Sequence, residues 1–382
     1  MRIFLNGHNS RSGGGVNVGQ NLLRSLSRVA SHHEYFMTIP EGFGFEPLCA
    51  MFPKMQTVAY RVTDHFSHWR WDTFHLPQLI RDFRPDVLFN LANRGVVSPP
   101  CAQATYIQDS HFYFPENRYG PLSRKQRWIF RYYRYHLRKT LKTTQMLFCQ
   151  TRTGQRLLRE IYGPTPEVRL CPSVPPMDEV IPDSELRMPD SLMPFRDRFR
   201  LFYPSPYAPH KNFELMLELF RKYREELQDV LLVLTVDRNQ SSGSAWLMDQ
   251  IQRDGLESHI LTTGTLDRRQ VQTYYHHTHA LLMTSFMETI GLPYLEAMKL
   301  RRLILTSELD FAHDACGDAA AYFDPWDVDS LFQTLQRLRR DTEWQQRLLQ
   351  AGEQQLRSFF SMSWDDVASG LIRDLESLVS RE

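Results

Sequence analysis

Residues 281–304 read LLMTSFMETIGLPYLEAMKLRRLI, and this stretch decides the architecture. Leu281–Thr284 is a short apolar run ending at Ser285, as a buried strand would be. Gly291 suits a tight turn. Pro293 suits the first turn of a helix, where its missing N–H costs nothing, and Tyr294–Leu300 continues that helix. A strand, a glycine turn and a helix N-terminus together make an anion site, because unpaired backbone N–H groups point outward there. The N–H groups of Ile290, Gly291 and Leu292 are the ones so placed. Glu288 falls on the loop and Glu296 one turn inside the helix, eight residues on, so that both carboxylates flank the anion. A carboxylate repels phosphate and must serve something else. Ionised carboxylates accept hydrogen bonds, and sugar hydroxyls donate them. A nucleotide sugar satisfies both halves of such a site.

The pattern Ser285-x-x-Glu288-x-x-Gly291-Leu292-Pro293-x-x-Glu296-Ala297-Met298 resembles the E-x7-E signature of the retaining glycosyltransferases of family 4, which have the GT-B fold. Cys316-Gly317-Asp318-Ala319-Ala320 and Tyr322-Phe323-Asp324-Pro325 are similar to a segment that follows the signature in that family. Pro209-His210-Lys211-Asn212 falls where the family carries its phosphate-binding lysine. The three motifs occur in the family's order between about Phe202 and Leu331. The resemblance implies an α/β chain of two Rossmann-like domains facing each other across a cleft, with a C-terminal helix crossing back to the first domain. It also implies metal-independent transfer with retention, and no cofactor besides the donor.

Composition agrees with two soluble α/β domains. The chain has 382 residues, 42 % apolar and 23 % charged, with a net charge of +1. That length exceeds one ordinary core, and the balanced charge predicts no general attraction to nucleic acid. Five cysteines (Cys49, Cys101, Cys149, Cys171, Cys316) form no C-x-x-C pair and no metal spacing, as expected of reduced thiols in a cytosol. No apolar run approaches the 18 or so residues of a spanning helix. Residues Ile3-Phe4-Leu5 read as a strand rather than a signal peptide, which places the protein in the cytoplasm.

In the first domain, expected over residues 1–175, Arg2–Asn6 is a strand followed by a Gly-rich turn, Ser12-Gly13-Gly14-Gly15-Val16-Asn17-Val18-Gly19. A helix from about Val16 to Arg28 follows, with Val18, Leu22, Leu23 and Leu26 on one face. The glycine spacing misses G-x-G-x-x-G by one residue and gives little support to a nicotinamide site. The resemblance assigns Gly14 and Gly15 a close approach to the donor diphosphate. Leu76–Phe83 reads as a helix, and Asp86–Asn90 and Ala104–Ile107 as strands. The second strand ends at Gln108-Asp109-Ser110-His111. Many family members carry a histidine at the position of Gln108, whereas here it comes three residues later. Asp109 and His111 are candidates for contacting the sugar or the acceptor, and a capping role fits His111 equally well.

From Asn117 to Arg159 there are twelve Lys or Arg in 43 residues and no Asp or Glu. Ser123 can cap a helix over Arg124–Lys142. Arg124, Arg127, Arg131, Arg134, Arg138 and Lys142 share one face of it, flanked by Trp128, Tyr132 and Tyr135. Such a stripe suits peripheral adsorption to an anionic inner membrane surface, a lipid diphosphate, or plain solvation.

Residues 176–198 are proline-rich and read as a linker. The second domain, 199–362, opens with the strand Arg200–Tyr203 and a loop delivering Lys211 to the helix Phe213–Tyr223, a natural diphosphate clamp. Ser205 stands where many family members add an arginine. Val230–Val236 and Ile260–Thr263 are further strands. Gly264 and Thr265 form the turn where the family seats the nucleotide base. His276, His277 and His279 cannot converge on one ion and read as structural. Residues 363–382 form the returning helix, capped by Ser363.

The resulting expectation is a retaining hexosyltransferase moving mannose or a related hexose, GDP-mannose being the preferred donor, to a glycan or lipid-linked glycan. Glu288 would hold the donor sugar, Glu296 the ribose hydroxyls, and Lys211 the leaving diphosphate. A nucleotide-sugar epimerase of the same fold and an inert carbohydrate-binding relative are the alternatives.

Overall fold

The computed structural model describes residues 1–11, 13–61, 65–164, 166–174, 181–359 and 362–380. Ser12 and the expected linker residues 176–180 lie outside them. The chain divides into two units, one of residues 1–114, 123–174 and 362–382, the other of 115–122 and 175–361.

The first unit runs β1 (Arg2–Asn6), α1 (Gly13–Val29), β2 (Glu34–Pro40), α2 (Glu46–Cys49), β3 (Met55–Tyr60), α3 (His65–Arg70), a π-helical turn at Trp71–His75, α4 (Leu76–Phe83), β4 (Val87–Asn90), β5 (Ala102–Ile107), α5 (Arg124–Leu141), β6 (Met146–Cys149), α6 (Arg152–Tyr162) and β7 (Glu167–Leu170). The seven strands are all parallel in the order β3-β2-β1-β4-β5-β6-β7. The strands β1, β4, β5 and β6 are buried almost throughout, as strands covered by helices on both faces are.

The second unit follows with β8 (Phe199–Tyr203), α7 (Phe213–Lys222), β9 (Val230–Leu234), α8 (Ser242–Arg253), β10 (Ile260–Thr262), α9 (Arg268–His276), β11 (Ala280–Met283), α10 (Leu292–Lys299), β12 (Leu303–Ser307), α11 (Asp310–Cys316), β13 (Ala321–Phe323), α12 (Val328–Arg340) and α13 (Thr342–Phe359). Its six parallel strands lie in the order β10-β9-β8-β11-β12-β13. In each sheet the strand order reverses once, between β1 and β4 and between β8 and β11. Loops leaving the carboxyl ends of those two strands diverge there and open a crevice.

The last helix, α14 (Trp364–Val379), returns to the first unit. Its capping box joins Ser363 and Asp366, and Val367, Ala368, Leu371, Leu375 and Leu378 enter the core of Ile3, Leu5, Leu22, Leu23 and Leu26.

Three boundaries differ from those expected. Helix α1 starts at Gly13, so Gly14 and Gly15 belong to its first turn and not to a preceding loop. Residues 115–122 group with the second unit. Arg118 Nη1 meets Asp310 Oδ1 at 2.5 Å, and Gly120, at φ +71°, lies so close that an added Cβ would stand 2.2 Å from the Pro209 carbonyl oxygen. The described part of the expected linker is packed on the second unit. Leu186 and Leu192 are buried, Ser191 Oγ meets the Tyr274 hydroxyl at 2.8 Å, and the Ile181 N–H donates to Gln272 Oε1. Proline-rich composition marks an irregular path here, and these contacts fix it in place.

Leu375 is 1 % exposed at the heart of the α14 contact. Leu375→Ala should cost about 2–5 kcal/mol of stability by cavity formation, read as a lower chemical-denaturation midpoint. An unchanged midpoint would contradict the packing described.

Candidate functional site

The two loops that leave β8 and β11 are stitched together at the switch point of the second sheet. The Phe286 N–H donates to the His210 carbonyl at 2.8 Å, and Thr284 Oγ1 reaches the carbonyls of Lys211 and Asn212 at 2.8 and 3.0 Å. Asn212 turns the chain into α7 with φ 53°, and its Nδ2 donates to the Pro325 carbonyl at 2.9 Å. The loop carrying Lys211 is therefore set by its backbone before any ligand arrives.

Lys211 Nζ and Glu288 Oε1 are 2.5 Å apart, with side chains only 16 % and 10 % exposed. Ser285 Oγ donates to the same carboxylate oxygen at 2.7 Å. That uses the only serine proton, so the Tyr203 hydroxyl, 2.7 Å from Ser285 Oγ, is the donor in the next bond. Burial and the neighbouring Glu288 charge push the Tyr203 phenol well above its ordinary value and hold it protonated. The result is a relay, Tyr203 to Ser285 to Glu288, closed by a lysine. Neither Ser285, which opens the quoted signature, nor Tyr203, which ends a strand, was assigned a site role from sequence.

Gly291 stands at φ +69° just before α10, and an added Cβ would lie 2.6 Å from the Tyr294 ring. The Tyr294 hydroxyl is in turn 2.7 Å from Thr306 Oγ1 on β12. The turn thus presents the backbone of Ile290, Gly291 and Leu292 at the head of a short helix whose Pro293 lacks a donor. Glu296 sits one turn inside α10. Burial pushes its carboxyl above the ordinary value, opposed by a hydrogen bond from Tyr275 and the charges of Arg268 and Lys299. Gly264 adopts φ +74°, and Thr265 Oγ1 accepts from Gln240 Nε2 at 3.1 Å.

In the first unit Asp109 caps a 3-10 turn, accepting from the His111 N–H at 2.9 Å and meeting His111 Nδ1 at 2.7 Å. Burial pushes the Asp109 carboxyl up, but those bonds and the His111 charge bring it below the ordinary value. The imidazole is stacked on Phe130, with ring centroids 4.0 Å apart and planes at 7°. Arg134, expected on the exposed basic stripe, faces inward instead. Its Nε donates to the His111 carbonyl at 2.9 Å and its Nη2 to the Phe114 carbonyl. The adjacent Trp128 and Tyr135 are exposed. Gly14 has open space where a Cβ would stand.

Two of the histidines near α9, His277 and His279, have backbone partners. His277 Nε2 lies 2.8 Å from the Leu186 carbonyl, and His279 Nδ1 accepts from the Arg200 N–H at 2.9 Å. Burial and two nearby arginines depress His279 to about 4. Among the described residues no group of three or more His, Cys, Asp or Glu could hold a metal ion. No described helix is long and apolar enough to cross a membrane. All five cysteines are free thiols.

Parallel sheets with such switch-point loops define a class. Residues 188–355, all within the second unit, match the family described as glycosyl transferases group 1. That match spans less than half of the chain and makes the second unit similar to group 1 glycosyltransferase domains, while the chain as a whole has the GT-B fold of two Rossmann-like units. Over 193 residues the sequence is 24 % identical to the O-antigen chain mannosyltransferase B of Escherichia coli, covering 49 % of each protein. The alignment therefore spans about half the length of that relative. Among solved structures, sucrose-phosphate synthase from Thermosynechococcus elongatus superposes with a TM-score of 0.71 at 14 % identity over all of both chains. HepE of Anabaena, solved with UDP and glucose, gives 0.68 at 12 % identity over 99 % of this chain and 100 % of its own.

Gly291→Ala should cost about 1–3 kcal/mol, because both the backbone angle and the Tyr294 contact resist a side chain. A lower melting temperature checks it. Stability equal to the parent's would show that the turn is not constrained in this way.

Proposed function

We propose that the chain is a retaining glycosyltransferase that moves a hexose, mannose or a close relative, from a nucleotide-diphosphate sugar to a glycan or lipid-linked glycan. One observation carries the reading: the buried Lys211–Glu288 pair, fed by Ser285 and Tyr203, at the switch point beside the Gly291 turn. An ammonium and a carboxylate held against each other neutralise each other while the site waits. A donor supplies a partner to each: diphosphate oxygens for Lys211, and sugar hydroxyls for Glu288. Replacement of one partner set by another keeps both charges compensated.

As the bond to the anomeric carbon breaks, negative charge grows on the leaving diphosphate. Lys211 and the N–H groups around Ile290, Gly291 and Leu292 stabilise it. Glu288 orients the sugar and favours the oxocarbenium-like transition state. Glu296 receives the ribose hydroxyls, the turn of Gly264 and Thr265 the base, and Gly14 and Gly15 the diphosphate. Asp109 and His111 serve the sugar or the acceptor. The chemistry needs no resident cofactor or metal in this account. The exposed cations of α5 suit an anionic membrane surface on the cytoplasmic side. The mannosyltransferase relative supports mannose and hence GDP-mannose as donor. HepE in complex with UDP and glucose supports the nucleotide-sugar class.

Thermal unfolding with GDP-mannose, UDP-glucose and the bare nucleotides tests this. A ligand at about 100 times its Kd adds about 2.7 kcal/mol to the folded state. One nucleotide sugar should stabilise the protein more than its own nucleotide does. Glu288→Ala should abolish that excess, and Lys211→Ala should weaken sugar and bare nucleotide together. Transfer should fall about 100-fold or more in both variants. No shift with any nucleotide sugar at millimolar concentration would overturn the assignment.

A further inference from the structure

Tyr203 ends β8 and Ser285 follows β11, and both are wholly buried behind the Lys211–Glu288 pair. We propose that they are positioning residues for sugar transfer. Through one directed relay of hydroxyl protons they hold Glu288 aimed at the donor sugar once Lys211 has left it for the diphosphate. Their role rests on the transferase reading and extends it to side chains that touch no substrate.

The two oxygens of the Glu288 carboxylate differ in their surroundings. Lys211 Nζ at 2.5 Å and Ser285 Oγ at 2.7 Å both meet Oε1, which occupies the two lone pairs of that oxygen. Oε2 is thereby left for a sugar hydroxyl, and the Ser285 bond sets the rotation of the group. Departure of Lys211 takes an ammonium away from a nearly buried carboxylate. A carboxylate so placed with no donor left is costly and turns toward any donor within reach. Ser285 supplies the donor that stays on Oε1. A serine has a single proton, and Tyr203 decides where it goes. The phenol, held protonated by burial and by the Glu288 charge, gives its own proton to Ser285 Oγ at 2.7 Å. That fills the accepting side of the serine and leaves the serine proton for Glu288. Each bond in such a relay polarises the next and strengthens it.

The place of the loops does not depend on this relay. Thr284 Oγ1 already ties the two loops together through the carbonyls of Lys211 and Asn212, and the Phe286 N–H does so through His210. The Tyr203 ring is held by stacking on Phe213, with centroids 5.2 Å apart and planes at 22°. Its hydroxyl could also turn to the Lys211 carbonyl, but that oxygen is 3.4 Å away, and the shorter bond assigns the phenol proton to Ser285. Two buried hydroxyls that only satisfied each other would need no carboxylate. Here the protons run one way and end on the group that meets the sugar in the proposed reaction.

The test is calorimetry and steady-state transfer with the full chain, using Ser285→Ala, Tyr203→Phe, Glu288→Ala and each of the first two combined with Glu288→Ala. The donor is whichever of GDP-mannose and UDP-glucose stabilises the parent, and its bare nucleotide is the control. Ser285→Ala should lower kcat about 10- to 100-fold, the weight of a hydrogen bond to a charged group, and Tyr203→Phe about 3- to 10-fold, that of a neutral one. Both should bind the bare nucleotide as the parent does, which also reports that they fold, and both should lose part of the extra affinity for the sugar. In the Glu288→Ala background neither should have any further effect, because the relay then ends on nothing. A pair with a merely structural role would weaken nucleotide and sugar alike and add its loss to that of Glu288→Ala. Such an added loss, or full kcat in both single variants, would overturn the positioning role and leave the transferase reading standing. No response of the parent to either nucleotide sugar would overturn the transferase reading and the positioning role together.

Discussion

A parallel sheet covered by helices on both faces must reverse its winding somewhere. At that one place the loops from adjacent strands leave in opposite directions, and the backbone cannot fill the gap. Both units of this chain obey the constraint, between β1 and β4 and between β8 and β11. Each gap is lined by a closely paired basic group and carboxylate. In the second unit these are Lys211 and Glu288; in the first they are His8 and Asp72. In both, a basic group and a carboxylate lie within hydrogen-bond reach; in the second unit Tyr203 donates to the Ser285 that feeds Glu288, and in the first Asn6 Oδ1 accepts from His8 Nδ1.

Placing charges there is costly, and the structure shows how the cost is limited. Glu288 is nearly buried, but it accepts from Lys211 and Ser285 and sits above a phenol that stays protonated. His8 is wholly buried, but both of its nitrogens are engaged. A backbone bond from the Phe286 N–H to the His210 carbonyl ties together the two loops that carry Glu288 and Lys211. Preorganisation of this kind lets a site respond to charge that develops in a reaction without first reorganising.

Much of this was legible in the sequence. The stretch 281–304 yields β11, the Gly291 turn and α10 because its apolar run, glycine and proline each have one economical reading. Leu76–Phe83 was legible for the same reason. Helix α1 begins at Gly13, earlier than expected, although three successive glycines have poor intrinsic helix propensity. Strand β2, Glu34–Pro40, was missed: it is buried almost throughout and shows no alternation. Helix α8 was missed because its Ser-Gly-Ser start reads as loop, whereas Gly243 is required where the Tyr207 ring passes. The Lys211–Glu288 contact joins residues 77 apart, and no spacing rule reaches so far. The inward turn of Arg134 was equally hidden, since helical periodicity says which residues share a face but not which face meets a carbonyl. The His8–Asp72 pair, 64 residues apart, left no local signal at all.

On the proposed reading the Lys211–Glu288 pair is the resting form of a donor site. A crystal structure with a bound nucleotide sugar tests it most directly. Lys211 Nζ should leave Glu288, now 2.5 Å away, for a diphosphate oxygen, and Glu288 should take a sugar hydroxyl in its place. A nucleotide sugar bound away from these residues, with the pair still closed, would contradict it.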